Sequence, residues 1–229
     1  MDLNHKPPYH FSDGALILID KPREWTSFQV VKKVRGLTEA KTGHAGTLDP
    51  LATGLLILAT GKYTKKIELI QAQAKTYIGS FKLGATTASF DAETNEVKRS
   101  DTIPTLNKVT SLAKSMTGVQ QQIPPMYSAL KKEGKKLYEL ARKGKTVKRY
   151  PREITIFSFE ITEYNYPIVH FEISCTKGTY IRSIANDFGE ALQVGAYLNS
   201  LRRTKIGDYK IEDAWQIDQF ETFVKTHAT

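Results

Sequence analysis

The spacing of apolar residues along the chain marks out its elements. Ala15–Ile19 is a short apolar run, read as a strand ending at Asp20-Lys21-Pro22. Thr26 or Ser27 can cap a helix from Phe28 to Arg35, with Phe28, Val31 and Val34 on one face and Gly36 closing it. Leu55–Ala59 is uninterrupted and apolar, as a fully buried strand requires. Tyr63–Ala74 predicts a short helix buried through Ile67 and Ile70. Thr76–Leu83 alternates: Tyr77, Gly79, Phe81 and Leu83 share one side of a strand, and Gly79 leaves space beside Tyr77. Thr105–Met116 predicts a helix with Leu106, Val109, Leu112, Ala113 and Met116 inward, stopped by Gly118. Lys135–Lys143 can form a short helix with Leu137, Leu140 and Ala141 on one side. Strands at Ile154–Thr162 and Val169–Thr176 follow, joined by a turn at Asn165-Tyr166-Pro167. A helix then buries Ile181, Ile184, Ala185 and Phe188, and Leu198–Ile206 is a last strand. Residues 211–229 make a helical tail around Ile217, Phe220 and Phe223, and residues 1–13 are polar and expected to be flexible.

Between the first helix and the Leu55–Ala59 strand the pattern breaks. Gly43-His44-Ala45-Gly46-Thr47-Leu48-Asp49-Pro50-Leu51-Ala52-Thr53-Gly54 holds three glycines and a proline, a loop that needs unusual dihedrals or close approach to a neighbour. Pro50 biases Asp49, the loop's one carboxylate, toward extended geometry. Leu48 and Leu51 can anchor the loop while Asp49 points out, with the apolar strand as a rigid base. A carboxylate is ionised at neutral pH and, unlike serine, can act as a nucleophile without a partner base. The loop is not a nucleoside-triphosphate phosphate loop, because Gly61-Lys62 is followed by Tyr63 and Leu56 stands where the first glycine belongs. Nor does it make an aspartic-protease dyad, since no second such loop exists.

Composition narrows the class. The 229 residues, 40% apolar, suffice for one large domain or two small ones. No apolar run approaches the length of a membrane span and no secretory leader is evident, so a cytoplasmic protein is expected. The single cysteine, Cys175, falls on the apolar side of a strand and is expected to be buried and inert. His5, His10, His44, His170 and His227 lack metal-ligand spacing, so no metal site is expected. The net charge is +9, and residues 121–150 hold nine basic and two acidic residues, which is +7 of it. One stretch, entered through Pro124-Pro125, thus concentrates the cations, with Tyr127 and Tyr138 among them. Such a mixture suits a flexible clamp on RNA, combining phosphate contacts with stacking. Lys131, Lys132, Lys135, Lys136, Arg142, Lys143, Lys148 and Arg149 are the candidate contacts.

Taken with other blocks, the glycine-rich loop resembles the catalytic motif of the tRNA pseudouridine synthase B (TruB) family. The matching blocks occur in the family's order: Leu18-Ile19-Asp20-Lys21-Pro22, Lys75-Thr76-Tyr77, Pro124-Pro125-Met126-Tyr127-Ser128-Ala129-Leu130-Lys131, Lys177-Gly178-Thr179-Tyr180-Ile181-Arg182, and Tyr197-Leu198-Asn199-Ser200-Leu201-Arg202-Arg203. The resemblance runs from about residue 14 to residue 210. It implies that Asp49 is the catalytic carboxylate, that Arg182 holds it ionised, and that Tyr77 stacks on the target base. It also implies that Tyr180 is the second aromatic of the uridine pocket and Leu201 its apolar contact. His44 would lie against the RNA and Lys21 would support the site. The family's Thr-Asp-Thr-x-Asp-x-x-Gly pattern is altered here: Ala88 replaces its first aspartate and Thr94 its glycine, while Asp91 survives.

The resemblance implies an α+β fold: a pseudouridine synthase catalytic domain over residues 14–210, with a mixed, mostly antiparallel sheet flanked by helices. A basic RNA-binding insertion at about 121–150 and a short tail at 211–229, in place of the family's further RNA-binding (PUA) module, complete the expected organisation. The implied substrate is uridine 55 in the TΨC arm of tRNA. The implied reaction breaks the bond from C1′ to N1, turns the base and rejoins it through C5. Atoms and electrons balance without a cofactor, so none is expected, and a monomer with no obligatory protein partner is the expected state. Asp49 attacks the sugar covalently or acts on it as a base, and Tyr77 or water takes the C5 proton. A non-catalytic RNA-binding or tRNA-folding protein on the same scaffold is the rival reading.

Overall fold

A computed structural model describes residues 10–132 and 134–227; most of the expected flexible N-terminus and the end of the tail lie outside these residues. In chain order the elements are β1 (Leu16–Lys21), α1 (Ser27–Thr38), β2 (Thr42–His44), β3 (Thr53–Thr60), α2 (Ile67–Ala72, preceded by a 3₁₀ turn, Gly61–Lys66), β4 (Lys75–Leu83), β5 (Ala85–Thr87) and β6 (Glu96–Lys98). They continue as α3 (Leu106–Ser115), β7 (Gly118–Gln122), β8 (Lys131–Lys132), β9 (Lys135–Lys136), α4 (Leu137–Ala141), β10 (Arg152–Asn165) and β11 (Ile168–Cys175). α5 (Ile181–Ala191), β12 (Ala196–Ile206), β13 (Tyr209–Lys210) and α6 (Ile217–His227) close the chain. This is an α+β fold with a mixed, mostly antiparallel sheet.

The chain forms two compact units, residues 1–77 with 201–229, and residues 78–200. In the first, β3 pairs antiparallel with β1 and β2 and parallel with the end of β12, where Arg202 faces Thr53 and Arg203 faces Gly54. Both faces of β3 are covered, which explains its uninterrupted apolar run. Ile17, Ile19, Leu56 and Leu58 join Val30, Val31 and Val34 of α1 and Phe220 and Val224 of α6 on one side. Leu16, Leu18, Leu55, Ile57, Ile70 and Ile206 form the core on the other.

Two expectations for α1 fail. Thr26 caps it, accepting from the Gln29 backbone with the reciprocal bond in place, but the helix passes through Gly36 and ends where Glu39 turns left-handed at φ 50°. Nothing lies within 4 Å of the position a Gly36 side chain would occupy, so a solvent-facing glycine costs propensity without breaking the helix. Phe28, expected inward, is 69% exposed. The expected Tyr63–Ala74 helix is a 3₁₀ turn running into a shorter α2.

In the second unit β10 is the centre of an antiparallel set, paired with β11 and β7. Phe81, Phe159, Phe171 and Phe188 form its aromatic core, with Phe81 and Phe171 centroids 4.3 Å apart. Cys175 is fully buried, as its position in the strand predicts. Leu106 is exposed, contrary to expectation, while Val109 and Ala113 carry the buried face of α3. The room expected beside Gly79 is filled: a side chain there would meet the Ser200 carbonyl oxygen at 2.2 Å and the Phe171 ring at 2.9 Å.

Candidate active site

In the first unit the Gly43–Gly54 loop hangs from β2 and β3 and is held by side chains from elsewhere in that unit. Ser27, at the first turn of α1, donates to the Leu48 carbonyl at 3.0 Å and accepts from the Leu48 backbone N–H at 2.8 Å. That pair of hydrogen bonds pins the residue before Asp49. Behind Asp49, the Ala52 N–H donates to its carbonyl at 3.1 Å and the Glu24 N–H donates to Pro50 O at 2.8 Å. Leu48 is buried and Asp49 half-buried, so the leucine anchors the loop while the carboxylate keeps solvent access.

Lys21 has no exposed surface. Its ammonium donates to the carbonyls of Pro22 at 2.9 Å, Trp25 at 2.6 Å and Pro50 at 3.3 Å, which uses all three of its protons. Burial pushes its pKa down to about 8, opposed by the charge of Asp49 and reinforced by that of Arg203. Lys21 thus ties the segment after β1 to Pro50 through backbone carbonyls. Its bond to Pro50 O lies at the C-terminal flank of Asp49.

His44 ends β2, opposite Leu58, and its Nδ1 is buried with no hydrogen-bond partner among the described residues. Burial, then the charge of Arg203, lowers its pKa, with the Gly46 backbone acting the other way, so the ring is neutral at physiological pH. Tyr77 is buried on β4, while Leu201, on β12, is half-buried.

Two residues that sequence reasoning quoted but gave no role complete this frame. Arg203 is 1% exposed; its Nε donates to Leu55 O at 2.8 Å and its Nη2 to Gly46 O at 3.0 Å. Arg202, its neighbour, grips Asp20 through two parallel bonds of 2.9 and 2.6 Å. The signal was present: successive strand residues point to opposite faces, so consecutive arginines in a core strand must send one inward.

In the second unit Arg182 sits at the start of α5 and is 4% exposed. Its Nε lies 3.5 Å from Asp91 Oδ2 and its Nη1 donates to Ser89 O at 3.4 Å. The altered loop is well braced around that carboxylate. Thr87 and Ser89 hydroxyls donate to Asp91 O, and the Glu93 N–H donates to Asp91 Oδ1 at 2.9 Å. Thr94, which replaces the family glycine, has its hydroxyl 2.9 Å from Ser89 Oγ and accepts from Ser89 N–H. Ala88, at the missing aspartate, is exposed.

Tyr180 precedes α5 and is fixed by Gln122, whose side chain exchanges two bonds with its backbone. The Arg152 guanidinium lies 4.6 Å from the Tyr180 ring centroid. In the basic segment β8 pairs with β9, Lys131 opposite Lys136 and Lys132 opposite Lys135. The Lys131 and Lys132 side chains lie outside the described atoms. Lys135, Arg142, Lys143 and Lys148 are exposed, whereas Lys136 and Arg149 are half-buried. Arg149 turns inward to Pro124 O at 3.0 Å, and Arg142 reaches Glu93 at 2.8 Å. Lys136 and Arg142 both flank the Tyr138 ring, each 5.5 Å from its centroid. Among the described residues no cluster of three or more His, Cys, Asp or Glu side chains could hold a metal. No helix among them is long and apolar enough to cross a membrane.

An aspartate on a braced glycine-rich loop, set on this mixed sheet, places the chain among the pseudouridine synthases. Residues 32–181 match the model of the TruB family pseudouridylate synthase N-terminal domain, and residues 182–229 that of the tRNA pseudouridylate synthase B C-terminal domain. The chain belongs to the TruB family. It is 52% identical to a tRNA pseudouridine synthase B of Chloroherpeton thalassium over 93% of this chain and 92% of that one. A protein of the same name from Flavobacterium johnsoniae is 48% identical over 93% and 97% of the respective chains. Among solved structures, a chain of a Cbf5-Nop10-Gar1 complex superposes with a TM-score of 0.74 at 27% identity, over 97% of this chain and 60% of that one.

Proposed function

We propose that this protein is a tRNA pseudouridine synthase that converts uridine 55 of the TΨC loop to pseudouridine, with Asp49 as its catalytic carboxylate. The observation that carries this reading is the bracing of Asp49: Ser27 holds Leu48 before it and Lys21 holds Pro50 after it. A merely structural turn has no need to fix both neighbours of a solvent-accessible carboxylate. Curated relatives named tRNA pseudouridine synthase B, matched nearly end to end, support tRNA as the substrate.

A stacked uridine must be flipped out before its sugar can be reached, at a cost of a few kcal/mol that stacking and base-edge contacts offset. Tyr77 and Tyr180 are the aromatic groups for that stacking, Leu201 the apolar wall, and neutral His44 a contact for the flipped strand. Asp49 then drives glycosidic cleavage, either by covalent attack at C1′ or as a base on the sugar. Rotation of the base and bonding through C5 follow, and Tyr77 or water removes the C5 proton. Arg182 supplies the guanidinium that keeps the Asp49 carboxylate ionised. The exposed cations Lys135, Arg142, Lys143 and Lys148 bind tRNA phosphates, with Lys131, Lys132, Lys136 and Arg149 as the rest of the basic set. The protein works in the cytoplasm as a monomer.

Turnover of an unmodified tRNA transcript, with the product site mapped, tests the reading. Wild type should form one pseudouridine at position 55, and Asp49→Asn should bind the same tRNA and form none. Binding without turnover by wild type would overturn it.

A further inference from the structure

We infer that Arg203 is a positioning residue for the isomerisation, the N-terminal half of a two-cation clamp that sets the Asp49 loop. This rests on the reading of Asp49 just given. Arg203 comes from β12 with almost no exposed surface and bonds two carbonyls of different segments, Leu55 O on β3 and Gly46 O in the loop. Lys21 does the same from β1 to Pro50 O. Gly46 lies three residues before Asp49 and Pro50 directly after it, so each flank of the carboxylate is tied to a buried cation.

A buried cation is expensive to desolvate, and a core strand could close its sheet with an apolar residue at that position. Two such cations converging on one loop therefore call for a reason beyond stability. Their geometry supplies it: a guanidinium spans two carbonyls rigidly, which fixes the distance from β3 to the Gly46 corner, where the chain turns at φ +98°. Gly54 lets Arg203 come this close, since a side chain there would meet the Arg203 carbonyl oxygen at 2.4 Å. The charge is felt as well as the bonds. Besides burial, Arg203 is a cause of the lowered pKa of both Lys21 and His44, so its field reaches a cation that itself interacts with Asp49 and the histidine at the start of the loop.

The test compares wild type, Arg203→Lys and Arg203→Gln in single-turnover assays on unmodified tRNA, with tRNA affinity and thermal unfolding measured on the same samples. Rates are expressed per mole of folded enzyme. The lysine variant keeps the charge and can reach one of the two carbonyls, so it should lose roughly 10-fold in rate. The glutamine variant should lose 100-fold or more, with tRNA affinity within threefold for both. Equal rates per folded molecule in both variants, or loss of affinity without loss of rate, would overturn the inference. Should neither variant fold, the same comparison is made at the other cation with Lys21→Arg and Lys21→Met. There an undiminished rate in the methionine variant overturns the clamp. A wild type that binds tRNA but never forms pseudouridine would fail the assignment of Asp49 instead, a separate outcome.

Discussion

Lys21 shows how far a single side chain can be read. The Lys-Pro block implied a supporting role, but nothing local says that the ammonium is wholly buried or that it spends all its protons on carbonyls. Those carbonyls belong to residues up to 29 positions away, a closure that only the fold makes. With its pKa at about 8 against an ordinary 10.5, the unfolded chain binds more protons than the folded one between those values. Stability therefore rises with pH from about 8 to about 10.5, as far as this group contributes, and is flat below that window. Catalysis should move the other way. A neutral amine has two protons for three carbonyls, so the turnover rate should fall above about pH 8, and Lys21→Arg should remove that limb from the pH–rate profile. Asp49 opposes the shift, so Asp49→Asn should lower the Lys21 pKa further, measurable by ¹⁵N-detected titration of labelled lysine. At Asp91 the expected result concerns stability: Asp91→Asn weakens the charged partner of a buried guanidinium and should cost about 1–3 kcal/mol in denaturant unfolding.

Elements were legible wherever their own residues determine them. The alternation in β4 and the apolar run of β3 located both strands, because burial on one face or two leaves a mark in sequence. The failures were non-local. Gly36 reads as a stop signal, yet the helix continues to Glu39; Gly79 reads as empty space, yet the Ser200 backbone occupies it. A missing side chain announces close approach or freedom without saying which. Gly54 is the sharper instance, since its φ of +102° and the Arg203 backbone within 2.7 Å both forbid a Cβ. Gly54→Ala should therefore cost about 2–4 kcal/mol, read from the denaturant midpoint, far more than the same change at the open Gly36.

At the scale of the whole molecule, charge was the plainest signal. The excess of +7 within residues 121–150 needs no structure to be seen. Which cations are available does need one: Arg149 is turned inward to Pro124, while Lys135, Lys143 and Lys148 are exposed. If five phosphates are neutralised, tRNA affinity should fall roughly 10²–10³-fold between 50 and 200 mM salt, and a flat response would sink the RNA-binding role of this segment. Replacing Lys135, Lys143 and Lys148 together by Gln should flatten that log–log slope by about 3. The division of the chain into residues 1–77 with 201–229 and residues 78–200 left no mark in composition, because its boundaries fall inside the strands β4 and β12.

The neighbouring arginines of β12 also make that strand impossible to slide. Arg202 reaches a carboxylate and Arg203 reaches two carbonyls, from opposite sides of one ribbon. Displace the ribbon by a single position and Arg203 turns to the other face, while either Thr204 takes its place and brings no cation to the loop, or Arg202 takes it and leaves Asp20 without its guanidinium. Insertions or deletions of one residue anywhere from 199 to 203 should thus be lethal to activity, whereas lengthening the hairpin beyond Ile206 leaves the key in its lock.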